Sequence, residues 1–168
     1  SVTGYSGGGK KMIAQYEAAE RDIALNSPRQ YGLTLAHKHI PEMVKECGLT
    51  HAPIFNPIVS DFYCGMCVTV PLYKNLLLKK LGVDDIRTFF AEYYATQNFV
   101  KVAEKESIPA YLAANELAGE NYLKIYVSGN DDMINLACVF DNLGKGASGA
   151  AVQNMNIMLG IDETYSLV

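Results

Sequence analysis

The feature that most constrains the fold is a pair of alternating segments on either side of residue 130. Leu123, Ile125 and Val127 alternate with other residues, and apolar side chains alternate again over 134–140. Between them lies Gly129-Asn130-Asp131-Asp132, which is typical of a tight turn. Because a parallel crossover needs a dozen or more connecting residues, the two segments predict an antiparallel hairpin.

Helix-like and strand-like segments are interspersed along the rest of the chain. The predicted helices are Lys10–Ile23, Pro41–Cys47 with Gly48 as its stop, a helix starting at Asp84 and Asp85, and a last helix capped by Ser148. The predicted strands outside the hairpin are Tyr31–Ala36, Phe55–Val59 and Phe62–Val70. This order predicts the α+β class, with a mixed, largely antiparallel sheet and helices packed on it. A doubly wound nucleotide-binding fold would need a regular alternation that the chain lacks.

Composition narrows the classes of partner and compartment. The 168 residues, with 49% hydrophobic and 19% charged, predict a single globular unit rather than a disordered chain. A net charge of −4 predicts no binding to nucleic acid or to an anionic membrane, and no apolar run approaches the ~20 residues of a membrane span. Four cysteines are too few for a disulfide scaffold, which predicts a reducing, cytoplasmic location. The start Ser1-Val2-Thr3-Gly4, without Met or a signal peptide, predicts a piece of a longer protein.

Two glycine-rich segments suggest phosphate chemistry without meeting its requirements. Residues 4–11 nearly match the Walker A pattern, but Lys11 stands where a Ser or Thr hydroxyl must meet magnesium. The loop still leads into a helix, so the alternatives are an anion bound by backbone N–H groups and a flexible turn with solvated lysines. Residues 144–149 match G-x-G-x-x-G, yet only 19 residues follow Gly149. They therefore predict a helix start that borders a cofactor held elsewhere, not a complete dinucleotide site.

Cys64-Gly65-Met66-Cys67 has the spacing of a redox or zinc motif. It lies in strand-like sequence, where side chains three positions apart point to opposite faces. We therefore predict neither a disulfide nor a metal site here.

The pair His37-Lys38-His39 is the strongest candidate for acid–base chemistry. If a strand ran through it, both imidazoles would lie on one face. Pro41 places His39 near a helix N-terminus, whose positive end favours the neutral imidazole that a general base requires. The residues alone leave a catalytic and a structural role equally open.

Four segments, in order from end to end, resemble N-acetyl-gamma-glutamyl-phosphate reductases. They are Ser1–Lys11, similar to that family's S-G-x-S-G-A-G-R; Ala36–Glu42, similar to H-R-H-x-P-E; Asp141–Asn154, similar to D-N-L-x-K-G-A-x-x-Q-A-V-Q; and Gly160–Val168, similar to its C-terminus. The resemblance covers only the second part of that enzyme. It includes neither the nucleotide-binding domain nor the nucleophilic cysteine.

The resemblance implies a domain organisation and a reaction. Residues 1–140 would be a substrate-binding and dimerisation domain, related in fold to the C-terminal domain of glyceraldehyde-3-phosphate dehydrogenase. Residues 141–168 would be a C-terminal helix packed against the NADP-binding domain. In the whole enzyme a cysteine thiolate attacks an acyl phosphate, phosphate leaves, and NADPH reduces the thioester to N-acetylglutamate semialdehyde for arginine biosynthesis. The chain alone would be inactive, and it would form a homodimer or a larger homo-oligomer.

The resemblance also implies roles for single residues. His37 would take the thiol proton and return it, while Tyr31 and His39 would hold substrate or orient the base. The anionic substrate would meet Ser6, Gly7 and Lys10, although Lys10 replaces the family's Arg and loses its bidentate geometry.

The nicotinamide side of the cofactor would be bordered by Asn142, Lys145, Gly146 and Ala147; for Gly146, a purely structural turn requirement is the equal alternative. Tyr63-Cys64 replaces a Pro-Arg pair frequent in the family, so no substrate contact is carried over there. The alternative functions are a related acyl-phosphate reductase of the semialdehyde dehydrogenase superfamily and a non-catalytic dimerisation or binding module.

Overall fold

Seven strands form one mixed sheet in the computed structural model, which describes residues 1–168. The strands are β1 (Val2–Gly4), β2 (Arg29–Gln30), β3 (Ile58–Ser60), β4 (Met66–Tyr73), β5 (Val100–Val102), β6 (Leu123–Gly129) and β7 (Met133–Phe140). Their order across the sheet is β2-β3-β1-β4-β7-β6-β5. Only β1–β3 and β5–β6 pair in parallel, whereas the other four pairs are antiparallel. The predicted α+β class, with a largely antiparallel mixed sheet, is confirmed.

The predicted hairpin is the centre of the sheet. β6 and β7 pair antiparallel, with Val127 opposite Leu136, and β7 pairs along its whole length with β4. Val127 and Val139 are fully buried. Because successive side chains alternate between faces, the hairpin supplies apolar side chains to both sides of the sheet.

Four α-helices accompany the sheet: α1 (Gly9–Tyr16), α2 (Ile40–Glu46), α3 (Val83–Tyr93) and α4 (Gly149–Met158). Ile86 of α3 packs on Ile125, Val127 and Ile134 on one face. The other face is covered by Ala103 and Leu117, which pack with Tyr126, Ala137 and Val139. The helix predicted at Asp84 and Asp85 is confirmed, and Asp85 Oδ2 accepts the backbone N–H of Gly82 at 2.7 Å.

The predicted strand Tyr31–Ala36 is wrong. The strand ends at Gln30, and a turn follows in which Gly32 has φ +64° and Leu35 has φ +54°. A left-handed residue reverses the chain and cannot continue a pleated strand. The histidine pair therefore lies in a loop rather than on one face of a strand.

The predicted helix Lys10–Ile23 is too long. α1 ends at Tyr16, and Ile23 is 82% exposed in a short 3-10 turn. That turn begins at Asp22, whose side chain accepts the backbone N–H of Ala24 at 2.9 Å. Local capping thus replaces the longer helix. The shorter predicted helix at Pro41 is confirmed as α2.

Two predicted strands shift toward the C-terminus. The segment Phe55–Val59 becomes β3 at Ile58–Ser60, and Phe62–Val70 becomes β4, starting at Met66. Gly65 has φ +120°, and a Cβ there would lie 2.6 Å from the carbonyl oxygen of Ala114. The chain bends at this glycine, so that, of the pair Cys64 and Cys67, Cys64 lies in a loop and Cys67 lies in a strand.

Ser148 does not cap the last helix. A π-helical turn over Gly144–Ser148 runs directly into α4, and Ser148 itself has helical φ and ψ. Its hydroxyl donates to the carbonyl oxygen of Leu143 at 2.8 Å. No helix of the structure combines the length and the apolar character that crossing a bilayer requires.

Candidate active site

Six of the ten predicted site residues line one cavity of about 520 Å³. They are Gly7, Tyr31, His37, His39, Asn142 and Gly146. The apolar and aromatic part of the cavity wall is formed by Met12, Met43, Phe55 and Phe140. The cavity therefore offers imidazole, amide and hydroxyl groups beside an apolar surface, as small-molecule sites do.

The glycine-rich loop after β1 is fastened to the loop before β4. Backbone N–H groups of Gly4, Tyr5 and Ser6 donate to carbonyl oxygens of the 62–65 loop at 2.9 to 3.0 Å. These groups are therefore not free to bind an anion. Gly7, the next residue, lines the cavity.

Ser6 is buried and positions the loop rather than lining the cavity. Its Oγ accepts a hydrogen bond from Asn142 Nδ2 at 3.0 Å. Asn142 Oδ1 accepts the backbone N–H of Gly65 at 2.7 Å. A single amide thus joins the glycine-rich loop, the 62–65 loop and the end of β7.

The histidine pair comes together in the loop before α2. The rings of His37 and His39 stack with centroids 5.0 Å apart, and Phe55 and Tyr31 lie 5.1 and 5.8 Å from the His37 ring. His39 directly precedes α2, as predicted. Burial, with the charges of His39 and Lys38, lowers the pKa of His37, and burial raises the pKa of Tyr31. Both shifts favour the neutral forms near pH 7.

Three predicted site residues lie away from the cavity. Lys10 is exposed on the first turn of α1, and Ala147 is exposed on the π-helical turn. Lys145 Nζ donates to Gln153 Oε1 at 2.9 Å and lies 5.8 Å from the centroid of the Phe99 ring. Burial lowers the pKa of Lys145, against an opposing effect of Glu163. Their roles in binding stay predictions.

Two carboxylates beside the cavity were not singled out from the sequence. Glu42 Oε2 lies 2.7 Å from Nδ1 of His39, and the hydrogen bond and charge of His39 lower the pKa of Glu42. The signal that could have identified Glu42 is its position three residues after His39 at the start of a helix. Among the sequence motifs, Glu42 appears only as the last residue of the Ala36–Glu42 segment.

Asp141 is the second carboxylate, and its side chain is almost fully buried. Burial alone would raise its pKa, but hydrogen bonds from the backbone N–H groups of Gly119, Gly144 and Leu143 and from the Cys64 thiol lower the pKa overall. The local sequence does not reveal the donor Gly119, because it lies 22 residues away. Asp141 holds the turn that delivers Asn142 and Gly146 to the cavity.

Residues 1–142 match the family described as semialdehyde dehydrogenase, dimerisation domain. The chain belongs to this family. Its curated relatives include N-acetyl-gamma-glutamyl-phosphate reductases of Sinorhizobium medicae, 45% identical over 164 residues, Sinorhizobium fredii, 46% over 162, and Brucella ovis, 44% over 166. Each alignment covers 95% of this chain and 53% of the relative. The chain thus spans about half the length of these relatives, in their C-terminal half.

Solved structures of semialdehyde dehydrogenases have the same fold. Aspartate semialdehyde dehydrogenase II from Vibrio cholerae aligns with a TM-score of 0.61 at 16% identity, covering 95% of this chain and 53% of that one. Its complex with ASA aligns with a TM-score of 0.60. These matches confirm the fold of a semialdehyde dehydrogenase dimerisation domain.

Proposed function

We propose that this chain is the substrate-binding and dimerisation domain of an N-acetyl-gamma-glutamyl-phosphate reductase. Such an enzyme reduces an acyl phosphate to a semialdehyde in arginine biosynthesis. One observation supports this most strongly: His37, His39, Gly7 and Asn142 line a single cavity. They do so in a chain 45% identical to a curated reductase of that name.

The groups of the cavity suit proton transfer beside an acyl substrate. The His37 ring is half-buried and, with its lowered pKa, is neutral near pH 7, as acid–base work requires. Tyr31 keeps its phenolic proton and can donate a hydrogen bond to a substrate oxygen. The apolar wall of Met12, Met43 and Phe55 suits the carbon chain of the substrate.

The anionic end of the substrate would lie near the glycine-rich loop. Gly7 borders the cavity, and its missing side chain keeps the backbone open to the cavity. Lys10, on the first turn of α1, would add a positive charge if the substrate extends toward it. That contact needs movement of an exposed side chain, which a flexible lysine allows.

NADP would be held mainly by another domain, and this chain fits only the border of such a site. Gly146 lies on the cavity wall, and a Cβ there would lie 3.1 Å from the Asp141 carbonyl oxygen and 3.3 Å from the Phe140 ring. Gly146 and Asn142 both line the cavity, where they would border the nicotinamide ring. When bound, NADPH would supply the hydride. Lys145 and Ala147 lie outside that wall.

The last part of the chain suits contact with a second domain. On α4 and just after it, Met155, Met158 and Leu159 are exposed by 51%, 86% and 67%. Asn156 is buried and donates to the carbonyl oxygens of Glu163 and Tyr165, which fixes the tail against the helix. We propose that residues 141–168 pack against the nucleotide-binding domain. The chain alone would then lack activity, because it would lack the nucleophile and most of the cofactor site.

A homodimer in the cytoplasm completes the proposal. The family is described as a dimerisation domain, and Phe89 and Tyr93 of α3 are exposed and stacked at 5.9 Å. An exposed aromatic pair of this kind is typical of interface cores. Four free cysteines suit a reducing compartment.

A chimeric enzyme tests the proposed activity. The N-terminal half of the Sinorhizobium medicae reductase is fused before Ser1, and NADPH oxidation is followed with N-acetyl-gamma-glutamyl phosphate. We expect activity from the chimera and none from the chain alone. A folded chimera that does not oxidise NADPH with this substrate would favour a non-catalytic module. Activity only with aspartyl phosphate would favour the related reductase.

A further inference from the structure

The two histidines of the cavity make different hydrogen bonds at Nδ1. Nδ1 of His37 lies 3.2 Å from the backbone nitrogen of His39, whose N–H points to it. A backbone N–H can only donate, so Nδ1 of His37 holds a lone pair. The neutral ring of His37 therefore carries its hydrogen on Nε2.

The neutral ring of His39 is held in the other tautomer. Its Nδ1 lies 2.7 Å from Glu42 Oε2, and the lowered pKa of Glu42 keeps that carboxylate ionised. An ionised carboxylate only accepts hydrogen bonds, so Nδ1 of His39 carries the hydrogen. When this ring is neutral, its lone pair lies on Nε2.

The two Nε2 atoms are thus complementary within one cavity. Both rings line it, and neither Nε2 has a hydrogen-bond partner inside the chain. Nε2 of His37 can donate, and Nε2 of His39 can accept. The positive charge of Lys38 also lies at the cavity and opposes protonation of His37.

We propose that His39 is the proton acceptor of the pair, His37 is a hydrogen-bond donor, and Glu42 is the positioning residue that sets this division. The inference rests on the proposed function, and it reverses the role that the resemblance implies for His37. The S–H bond of the incoming thiol breaks, its electron pair stays on sulfur, and the proton bonds to Nε2 of His39. The resulting imidazolium faces the Glu42 carboxylate. His37 keeps its proton and donates a hydrogen bond to the acyl oxygen as negative charge develops there.

The tautomers can be measured in the 168-residue chain without any activity. Long-range 1H–15N spectra at pH 8.5 distinguish nitrogens that carry hydrogen from those that do not, and the chain has only three histidines to assign. We expect hydrogen on Nε2 of His37 and on Nδ1 of His39. Glu42→Ala should reverse the major tautomer of His39 and leave that of His37 unchanged.

Glu46→Ala is the matched control, because Glu46 is exposed on the same helix and its carboxylate lies near Lys45 instead. It should change neither histidine, and the methyl region of the spectrum shows whether each variant is folded. Hydrogen on Nε2 of His39 in the unsubstituted chain would overturn the proposal. So would a folded Glu42→Ala variant with an unchanged His39 tautomer.

Activity of the chimera gives an independent test of the division of roles. Glutamine places an N–H near the position of Nε2 but cannot accept a proton, so it can replace a donor and not a base. His37→Asn should lower kcat by roughly 100-fold. The kcat of His37→Gln should be at least about tenfold higher than that of His37→Asn. His39→Gln should lose about 100-fold or more without recovery. Recovery at position 39 but not at 37 would overturn the assignment. An inactive unsubstituted chimera would instead count against the proposed function and leave the tautomer result standing.

Discussion

The side chain of Asn142 donates to Ser6 Oγ at 3.0 Å, across 136 residues of sequence. The same amide accepts the backbone N–H of Gly65. This one residue therefore holds the glycine-rich loop beside the histidine pair. Both Asn142 and Ser6 are also predicted ligand contacts, and this hydrogen bond adds a structural role to that prediction.

Replacing Asn142 by alanine should destabilise the domain. Gly65 would keep a partly buried N–H without an acceptor, and such a loss costs about 1–3 kcal/mol. Urea titration followed by circular dichroism measures the free energy of unfolding. Asn154→Ala, at an exposed position of α4, should change it by less than about 0.5 kcal/mol. Equal stability of the two variants would show that the amide bridge contributes nothing.

Two glycines of the same loop should respond very differently to alanine. A Cβ on Gly4 would lie 2.5 Å from the Tyr63 carbonyl oxygen, whereas a Cβ on Gly7 would lie 3.7 Å from Asn142 Nδ2. Gly4→Ala should therefore cost about 1–3 kcal/mol or more, because backbone must move. Gly7→Ala should fold normally but narrow the cavity and raise KM in the chimera. Thermal unfolding and steady-state kinetics separate the two effects, and a stable Gly4→Ala variant would contradict the tight loop contact.

The buried carboxylate of Asp141 makes stability depend on pH. Its folded pKa is lower than the unfolded value of 3.8. Its stabilisation is therefore present above pH 3.8 and is lost as the pH falls through the folded pKa. Asp141→Asn should cost about 2 kcal/mol near pH 7, since hydrogen bonds to a charged acceptor are lost. Urea titrations of both proteins from pH 7 to pH 2.5 should show the difference shrinking at the acid end. A difference that stays constant over this range would mean that the ionised form is not what stabilises the turn.

The parts of the fold that depend on local sequence could be predicted. The hairpin at residues 123–140 and the helix at Asp84 follow from alternation, turn residues and capping within a few positions. The strand prediction for 31–36 failed because Gly32 and Leu35 adopt left-handed conformations that alternation does not reveal. The prediction of a helix up to Ile23 failed for a similar reason, because the Asp22 side chain caps a separate turn and prevents continuation of the helix.

The motifs of the sequence indicate residues that line the cavity, but they do not reveal the contacts that hold these residues there. The H-x-H-x-P-E segment indicated His37 and His39, and the structure brings them to one cavity with Gly7 and Asn142. Asp141 could not be identified, because its partners come from a loop 22 residues away and from backbone groups that every residue carries. The contact of Lys145 with Gln153 could not be predicted from spacing, and its predicted role beside the cofactor stays a prediction.

We propose that the imidazole of His37 takes part in the reduction of an acyl phosphate. The most direct measurement is kcat of the chimera for NADPH oxidation with N-acetyl-gamma-glutamyl phosphate, with His37 and with His37→Asn. We expect the substitution to lower kcat by about 100-fold or more while thermal unfolding stays unchanged, because a transition-state contact is lost without loss of packing. A His37→Asn chimera with a near-normal kcat would show that this imidazole does not take part in the reaction.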